Sequence, residues 1–306
     1  MAAHTALIAI DWGTTRARAY RVDTTGRITD ERSAELGVQK LDGLPFREAL
    51  DRLLGDWRGL AVPRLACGMV GSRQGWVEAP YLRCPVSLAS LGESLVGTKG
   101  GELAIVPGLL TRDAAGVPDV MRGEETQLLG AIATPTPRTL AVLPGSHSKW
   151  AIVEDGTVLD FATFMTGEVY EALLGHTILG RLARWPSGDG DPAAFARGVE
   201  RGLGAGGFTH DVFGARTLVL MGELDEPGAG EWLSGVMIGR EIRTARSWAQ
   251  HAGHDASRVL VVGGEALAAR STRALGLAGV AAEAGVPDAA ARGLYRIARA
   301  GGRLAA

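Results

Sequence analysis

The 306-residue chain has only two cysteines, Cys67 and Cys84. Two thiols make neither a four-ligand metal site nor a disulfide framework, and their scarcity fits a reducing cytosol. No run approaches the ~20 apolar residues needed to span a bilayer, so no membrane partner is expected. The N-terminus lacks a basic segment followed by a long apolar stretch and a cleavage site, so no signal peptide is expected and the protein reads as cytoplasmic. An excess of one charge is missing too: the formal net charge is −2, which leaves no footprint for nucleic acid. Familiar site signatures are absent. There is no Gly-spaced Walker A pattern, and no G-x-G-x-x-G follows the first strand, which argues against a dinucleotide site. Without H-E-x-x-H, C-x-x-C or G-x-S-x-G, zinc protease and α/β-hydrolase readings lose support.

What is present begins at Leu7-Ile8-Ala9-Ile10, an apolar strand that delivers Asp11 at its end. Gly13, Thr14 and Thr15 then form a turn, and a second strand leaves through Arg16 to Val22 toward the acidic turn Asp23-Thr24-Thr25-Gly26. Glycine lets backbone N–H groups approach an anion, and successive N–H groups in such a turn make an anion-binding nest. A carboxylate beside it can hold a divalent cation. Together these are the chemistry of a nucleotide phosphate with Mg²⁺, although a lone D-x-G-T-T is equally an ordinary hairpin. A second segment repeats the order: strand Leu140–Leu143, turn Pro144-Gly145-Ser146-His147-Ser148-Lys149, strand Trp150–Val153, acidic turn Glu154-Asp155-Gly156. Two such turns facing one another would grip one polyphosphate from both sides.

The spacing predicts strands over 6–11, 16–22 and 27–34, and a helix from Pro45 to Trp57 with Phe46, Leu50, Leu53, Leu54 and Trp57 on one face. A buried strand over 64–67 runs into the loop Gly68–Trp76. Residues 77–101 read as loop, with a short strand from Leu103 to Val106. A helix over Arg122–Ala133 stops at Thr134-Pro135-Thr136-Pro137, the candidate domain boundary. Beyond it come a helix over 167–183, a polar loop over 186–191, a helix from Pro192, a strand over 217–221 and a long helix over 230–250. A strand over 258–262 ends at Gly263-Gly264, and a last helix runs from Pro287 to about Ala300. The pattern is α/β, with two domains of related plan, 1–137 and 138–306, the final helix free to pack back on the first. The abundant glycine reads as genome composition more than function.

Three further segments are site candidates. Gly263 and Gly264 would let a flat base or ribose lie against the backbone. Glu124 and Glu125 open a helix. A carboxylate there is often only a dipole-favoured cap, but a kinase acting on an alcohol needs one to accept the hydroxyl proton. Adjacent helical positions point about 100° apart, so only one should serve. In Ser72-Arg73-Gln74-Gly75-Trp76, Arg73 offers a fork that matches a carboxylate and Trp76 a flat wall. His147, between two serines, reads as a donor to phosphate.

The two hairpins and the late Gly-Gly turn resemble the actin, hexokinase and Hsp70 superfamily. More narrowly, G-M-V-G-S-R-Q-G-W at 68–76, M-R-G-E-E-T-Q at 121–127, L-P-G-S-H-S-K-W at 143–150, F-M-T-G-E-V-Y at 164–170 and G-L-Y-R-I-A-R-A-G at 293–301 resemble the 2-dehydro-3-deoxygalactonokinases. The resemblance implies two ribonuclease H-like domains with an ATP cleft between them. The implied reaction is ATP-dependent phosphorylation of 2-dehydro-3-deoxy-D-galactonate at O6, in galactonate breakdown. It further implies that Asp11 organises Mg²⁺ through water, that Gly13, Thr14 and Thr15 form the first phosphate motif, and that Gly145 to Lys149 form the second. Gly263 and Gly264 fall on the adenosine motif. Related sugar kinases place an Asp after a Gly as proton acceptor; here Glu124 follows Gly123, with Glu125 the other candidate. The substrate is an anion, and Arg73 is the cation expected to meet it, with Ser72, Gln74 and Trp76 around it. A kinase for another sugar acid or polyol and a non-enzymatic ATP switch are the alternatives, and a homo-oligomer is left open.

Overall fold

The structure, a computed structural model, describes residues 4–185 and 190–304. It divides into two units. The first comprises Met1–Arg138, Val153–Phe161 and Gly285–Ala306, and the second Thr139–Ile152 and Ala162–Ala284.

The first unit begins with three antiparallel strands, β1 (Thr5–Trp12), β2 (Ala17–Asp23) and β3 (Ile28–Ala34). Helix α1 (Phe46–Leu54) follows, then β4 (Arg64–Gly68), which pairs parallel with β1. The next segment carries β5 (Tyr81–Arg83), β6 (Val86–Ser87), α2 (Leu88–Glu93) and β7 (Val96–Gly97). It is thus not the plain loop expected over 77–101, because short pairings give its backbone partners that no local periodicity announces. Strands β8 (Ala104–Ile105), β9 (Gly108–Arg112) and β10 (Pro118–Met121) lead into α3 (Glu124–Ala131). The main sheet has the order β3-β2-β1-β4-β8-β7, and β10-β9-β5 form a small second one. Alternation along β1 buries Ile8, Ile10 and Trp12 against Leu50, Leu53, Leu54 and Trp57, the expected apolar face of α1 and its continuation.

The second hairpin is β11 (Thr139–Leu143), β12 (Ser148–Glu154) and β13 (Thr157–Phe164). After it come α4 (Thr166–His176), α5 (Pro192–Leu203), α6 (Phe208–Leu220), α7 (Glu226–His251), β14 (Arg258–Val261), α8 (Glu265–Leu277) and β15 (Ala281–Ala284). The strand order β15-β14-β11-β12-β13-β6 repeats the plan of the first sheet: a central strand flanked by its own antiparallel hairpin on one side and parallel strands on the other. This is the expected α/β class with two related halves.

Three expectations are corrected here. Residues 217–221 are the last turn of α6 and its cap, not a strand. Val212 and Ala215 are buried and Leu218 and Val219 pack beside them, so helical spacing toward the core overrides the local apolar run. The helix over 167–183 stops at His176, where Thr177 caps a separate 3₁₀ turn at Ile178–Arg181. The long helix starts earlier than 230, at Glu226, where the Asp225 side chain accepts from the Gly228 N–H. Of the loop expected over 186–191, residues 186–189 lie outside the described residues.

The chain closes with α9 (Ala289–Ala300), which packs on α3, β1 and β4 within the first unit. Helices α3 and α9 approach so closely that a Cβ at Gly130 would strike the Ala289 carbonyl, and one at Gly293 the Thr126 carbonyl. Gly198 and Gly235 do the same for α5 and α7. These glycines have a packing function that composition alone did not reveal. Among the described residues, no helix is long and apolar enough to cross a membrane.

Candidate active site

Strand β1 carries Asp11 to its C-terminal end, opposite Arg18 in the β1–β2 register. The Arg18 guanidinium donates to Asp11 Oδ2 at 2.8 Å. Burial raises the Asp11 pKa, and the Arg18 charge and hydrogen bond oppose that rise. The following turn is strapped down: the Gly13, Thr14 and Thr15 carbonyls accept from the N–H groups of Val38, Gln39 and Gly37. Gly13 spends its own N–H on the Arg16 carbonyl, so the nest expected there does not include it. The Thr14 and Thr15 side chains remain exposed.

The two acidic residues at the start of α3 separate sharply. Gly123, at φ 104°, turns the chain into the helix, a conformation other residues rarely adopt. Glu124 is half-buried, with Oε2 accepting from the Arg122 N–H at 3.0 Å. Glu125 is 0% exposed. It accepts from the Gly123 N–H at 2.6 Å and from the Thr126 hydroxyl at 2.8 Å. Burial, and secondarily the Glu124 charge, raises its pKa to about 7. Burial likewise pushes the Cys67 thiol up, with the charges of Asp11 and Glu125 adding to it; that thiol is thus inert and sits within reach of both carboxylates' fields.

The loop after β4 places its residues unequally. Ser72 is half-buried, while Arg73 is 90% exposed and lies 3.9 Å from Glu78. Gln74 is exposed. Trp76 stacks on Phe46, with ring centroids 6.0 Å apart, and meets Trp12 edge-on. The expected flat wall is therefore also part of the core.

In the second unit, Gly145 to Lys149 turn between β11 and β12. Ser148 and Lys149 are buried, and Lys149 Nζ donates to the His147 carbonyl at 3.3 Å. His147 Nε2 bonds Glu168 Oε2 on α4, so this nitrogen is engaged by a carboxylate. The start of α4 presses on the turn: a Cβ at Gly167 would come within 2.7 Å of the Gly145 carbonyl oxygen. Gly263 adjoins the same turn, its Cβ position lying 3.7 Å from the Pro144 ring, and Gly264 borders open space. The turn opens onto a cavity of about 310 Å³ that reaches Tyr170, Trp185, Met237, Glu241, Leu267 and Arg270.

The model of the 2-keto-3-deoxy-galactonokinase family matches residues 11–297. The chain belongs to this family. It is 38% identical over 267 residues to the 2-dehydro-3-deoxygalactonokinase of Escherichia coli (strain K12), covering 87% of this chain and 88% of that protein. A solved structure from Sinorhizobium meliloti, provisionally named a 2-dehydro-3-deoxygalactonokinase, is 33% identical. It covers 97% of this chain and 99% of its own, with a TM-score of 0.86. The activator of a 2-hydroxyisocaproyl-CoA dehydratase from Clostridium difficile, solved with bound ADPNP, shares the fold alone. It has a TM-score of 0.51 at 14% identity, covering 96% of this chain and 95% of that one.

Sequence reasoning missed several groups in this family member. Glu241 of α7 is buried and accepts from Trp150 Nε1 at 2.8 Å, with Ser148 and Thr166 as further partners. Burial raises its pKa. Its signal was a lone carboxylate in the apolar stretch Val236–Ile242. Trp185 and Tyr170, in edge-on contact at 5.3 Å, form an aromatic wall of the cavity. Arg18, Glu168 and Arg122 were given no role of their own, because their partners lie 7 to 43 residues away in sequence.

Proposed function

We propose that the chain phosphorylates 2-dehydro-3-deoxy-D-galactonate at O6 with ATP, giving 2-dehydro-3-deoxy-6-phosphogalactonate and ADP. The E. coli relative carries the name of that activity. The observation that carries the reading in this chain is the ligand-sized cavity of about 310 Å³ at the Gly145–Ser148 turn, whose lining combines Tyr170, Trp185, Met237 and Leu267 with the hydroxyls of Ser146, Ser148 and Thr166. Adenosine takes its aromatic and Leu267 walls, with the Gly263-Gly264 backbone next to the Pro144 end of the turn. The phosphates take the turn residues Gly145, Ser146, His147, Ser148 and Lys149, and the Gly13-Thr14-Thr15 turn serves the first phosphate motif.

Glu124 is the proton acceptor. It is half-buried, whereas Glu125 is enclosed and committed to Gly123 and Thr126. In the reaction the O6 oxygen bonds to the γ-phosphorus, the bond to the ADP oxygen breaks, and the hydroxyl proton passes to the Glu124 carboxylate. Ser72, Gln74 and Trp76 serve the sugar acid, and the cation that meets its carboxylate is assigned below. Asp11 fits a cation held through water. Among the described residues no three His, Cys, Asp or Glu side chains cluster as a metal cage, and Mg²⁺ usually keeps several waters and takes one or two carboxylates plus substrate phosphates. Bound there, Mg²⁺ would offset charge on the transferring phosphoryl group.

The test is coupled ADP detection with a panel of six-carbon 2-keto-3-deoxy acids and polyols. ADP should form only when the galactonate-derived acid is present. Faster turnover of a polyol would move the substrate assignment, and ADP formation indifferent to any acceptor would favour an ATP switch.

A further inference from the structure

Three of the six buried side-chain atoms without a hydrogen-bond partner among the described residues belong to two residues, Arg122 (Nε and Nη1) and Ser72 (Oγ). Arg122 Nη2 donates to the Ala79 carbonyl at 2.7 Å, and the guanidinium lies over the Tyr81 ring at 4.3 Å. Its Nη1 rests on Gly71, where a Cβ would approach it to 2.9 Å. Gly71 is the residue before Ser72, so Nη1 packs on the backbone that leads into the residue with the unmet hydroxyl. Among the described residues Arg122 makes no ion pair to a carboxylate, in contrast to Arg18, Arg201, Arg240 and Arg270, which each face one. Arg122 as a whole is half-buried, but its Nε and Nη1 are enclosed, and enclosed charged donors left unmet are costly unless an anion completes them. The Arg122 N–H also holds Glu124 Oε2, so this cation stands two residues from the proposed base.

We propose that Arg122, with the Ser72 hydroxyl, receives the carboxylate of the sugar acid. The inference rests on the kinase reading above and assigns the cation that reading requires. Arg73, expected from sequence to do this, is 90% exposed, where an ion pair is worth only ~0–1 kcal/mol. Donors withdrawn from water discriminate far more strongly. The acid's two ends then divide the work: C1 is read by Arg122 and Ser72 while O6, at the far end of the six-carbon chain, is the atom phosphorylated.

The experiment compares 2-dehydro-3-deoxy-D-galactonate with its analogue in which C1 is an alcohol, on wild type, Arg122→Gln, Arg122→Lys, Ser72→Ala and Arg73→Ala. Arg122→Gln should lower kcat/KM for the acid at least ~30-fold, the lower end for truncating a buried charged partner. It should leave kcat/KM for the alcohol and KM for ATP little changed. Arg122→Lys should restore part of the loss. Ser72→Ala removes an unsatisfied hydroxyl, so a purely structural role predicts an unchanged KM and equal or higher thermal stability. The proposal instead predicts a raised KM for the acid alone, with that same stability. Equal losses on both ligands in Arg122→Gln, or loss of discrimination in Arg73→Ala, would overturn the assignment. If wild type forms no ADP with the acid, the kinase reading fails and takes this assignment with it; an active wild type whose discrimination survives in Arg122→Gln sinks only the assignment.

Discussion

Replacing Glu125 by glutamine measures what its burial costs. The side chain is 0% exposed, and its pKa is raised from 4.5 to about 7, first by burial and then by the Glu124 charge. The folded chain therefore holds this proton more tightly than the unfolded chain does. Below the unfolded value both states are protonated and the contribution is intact. As pH rises through the window between 4.5 and about 7, the unfolded chain ionises first and stability falls, and above the folded value the loss is complete. At 1.36 kcal/mol per pH unit, that window corresponds to a loss of ~3 kcal/mol. Glutamine keeps an acceptor for the Gly123 N–H and has no proton to release. Glu125→Gln should therefore match wild type near the acid end of the window and exceed it by up to ~3 kcal/mol at about pH 8. At ~1.5 °C per kcal/mol for a chain of this length, this is a gain in Tm of ~5 °C. Calorimetric Tm measured for both proteins across the window gives the difference directly. A difference that is flat with pH would refute the reasoning, because a lost hydrogen bond shifts stability at every pH and a buried proton only on one side of its pKa.

The remaining outcomes concern activity and packing. Glu124→Gln should cut kcat by ~10²-fold or more while ATP still binds, as measured by nucleotide titration, whereas Glu125→Gln should be milder; the reverse order would move the base by one residue. Asp11→Asn keeps the shape but removes the charge, and should cost at least ~10² in kcat, read by ADP release at saturating Mg²⁺. Near-normal turnover would remove Asp11 from the metal's supports. Gly293→Ala drives a methyl into the Thr126 carbonyl, so its Tm should fall by an amount corresponding to ~1–3 kcal/mol or more; an unchanged Tm would mean that α3 and α9 separate freely.

The local chemistry was legible wherever it is written in adjacent residues. A strand ending in Asp11, two Gly-hydroxyl turns, the apolar face of α1 and the proline break at Thr134–Pro137 all follow from neighbours in the chain, and the five motifs carried the family. Stereochemistry makes this so: strand and helix periods, turn formation and capping depend on a few consecutive residues. The tertiary structure decided what depends on distant neighbours. Glu124 and Glu125 are indistinguishable in sequence, yet one is half-buried and the other fully enclosed beside β4. Trp76 reads as a flat wall in sequence, and the structure adds that Phe46 and Trp12 pack against it; Arg122 carries no role in sequence, and its donors prove buried and unmet. Residues 217–221 carry a strand's composition and become helix because α6 meets the core on Val212 and Ala215. Burial sums the contributions of segments far apart in the chain, and it sets desolvation, hydrogen-bond satisfaction and pKa together. The sequence alone therefore supplied the groups and their local geometry, and only packing determined which of them are enclosed, paired or left open for a ligand.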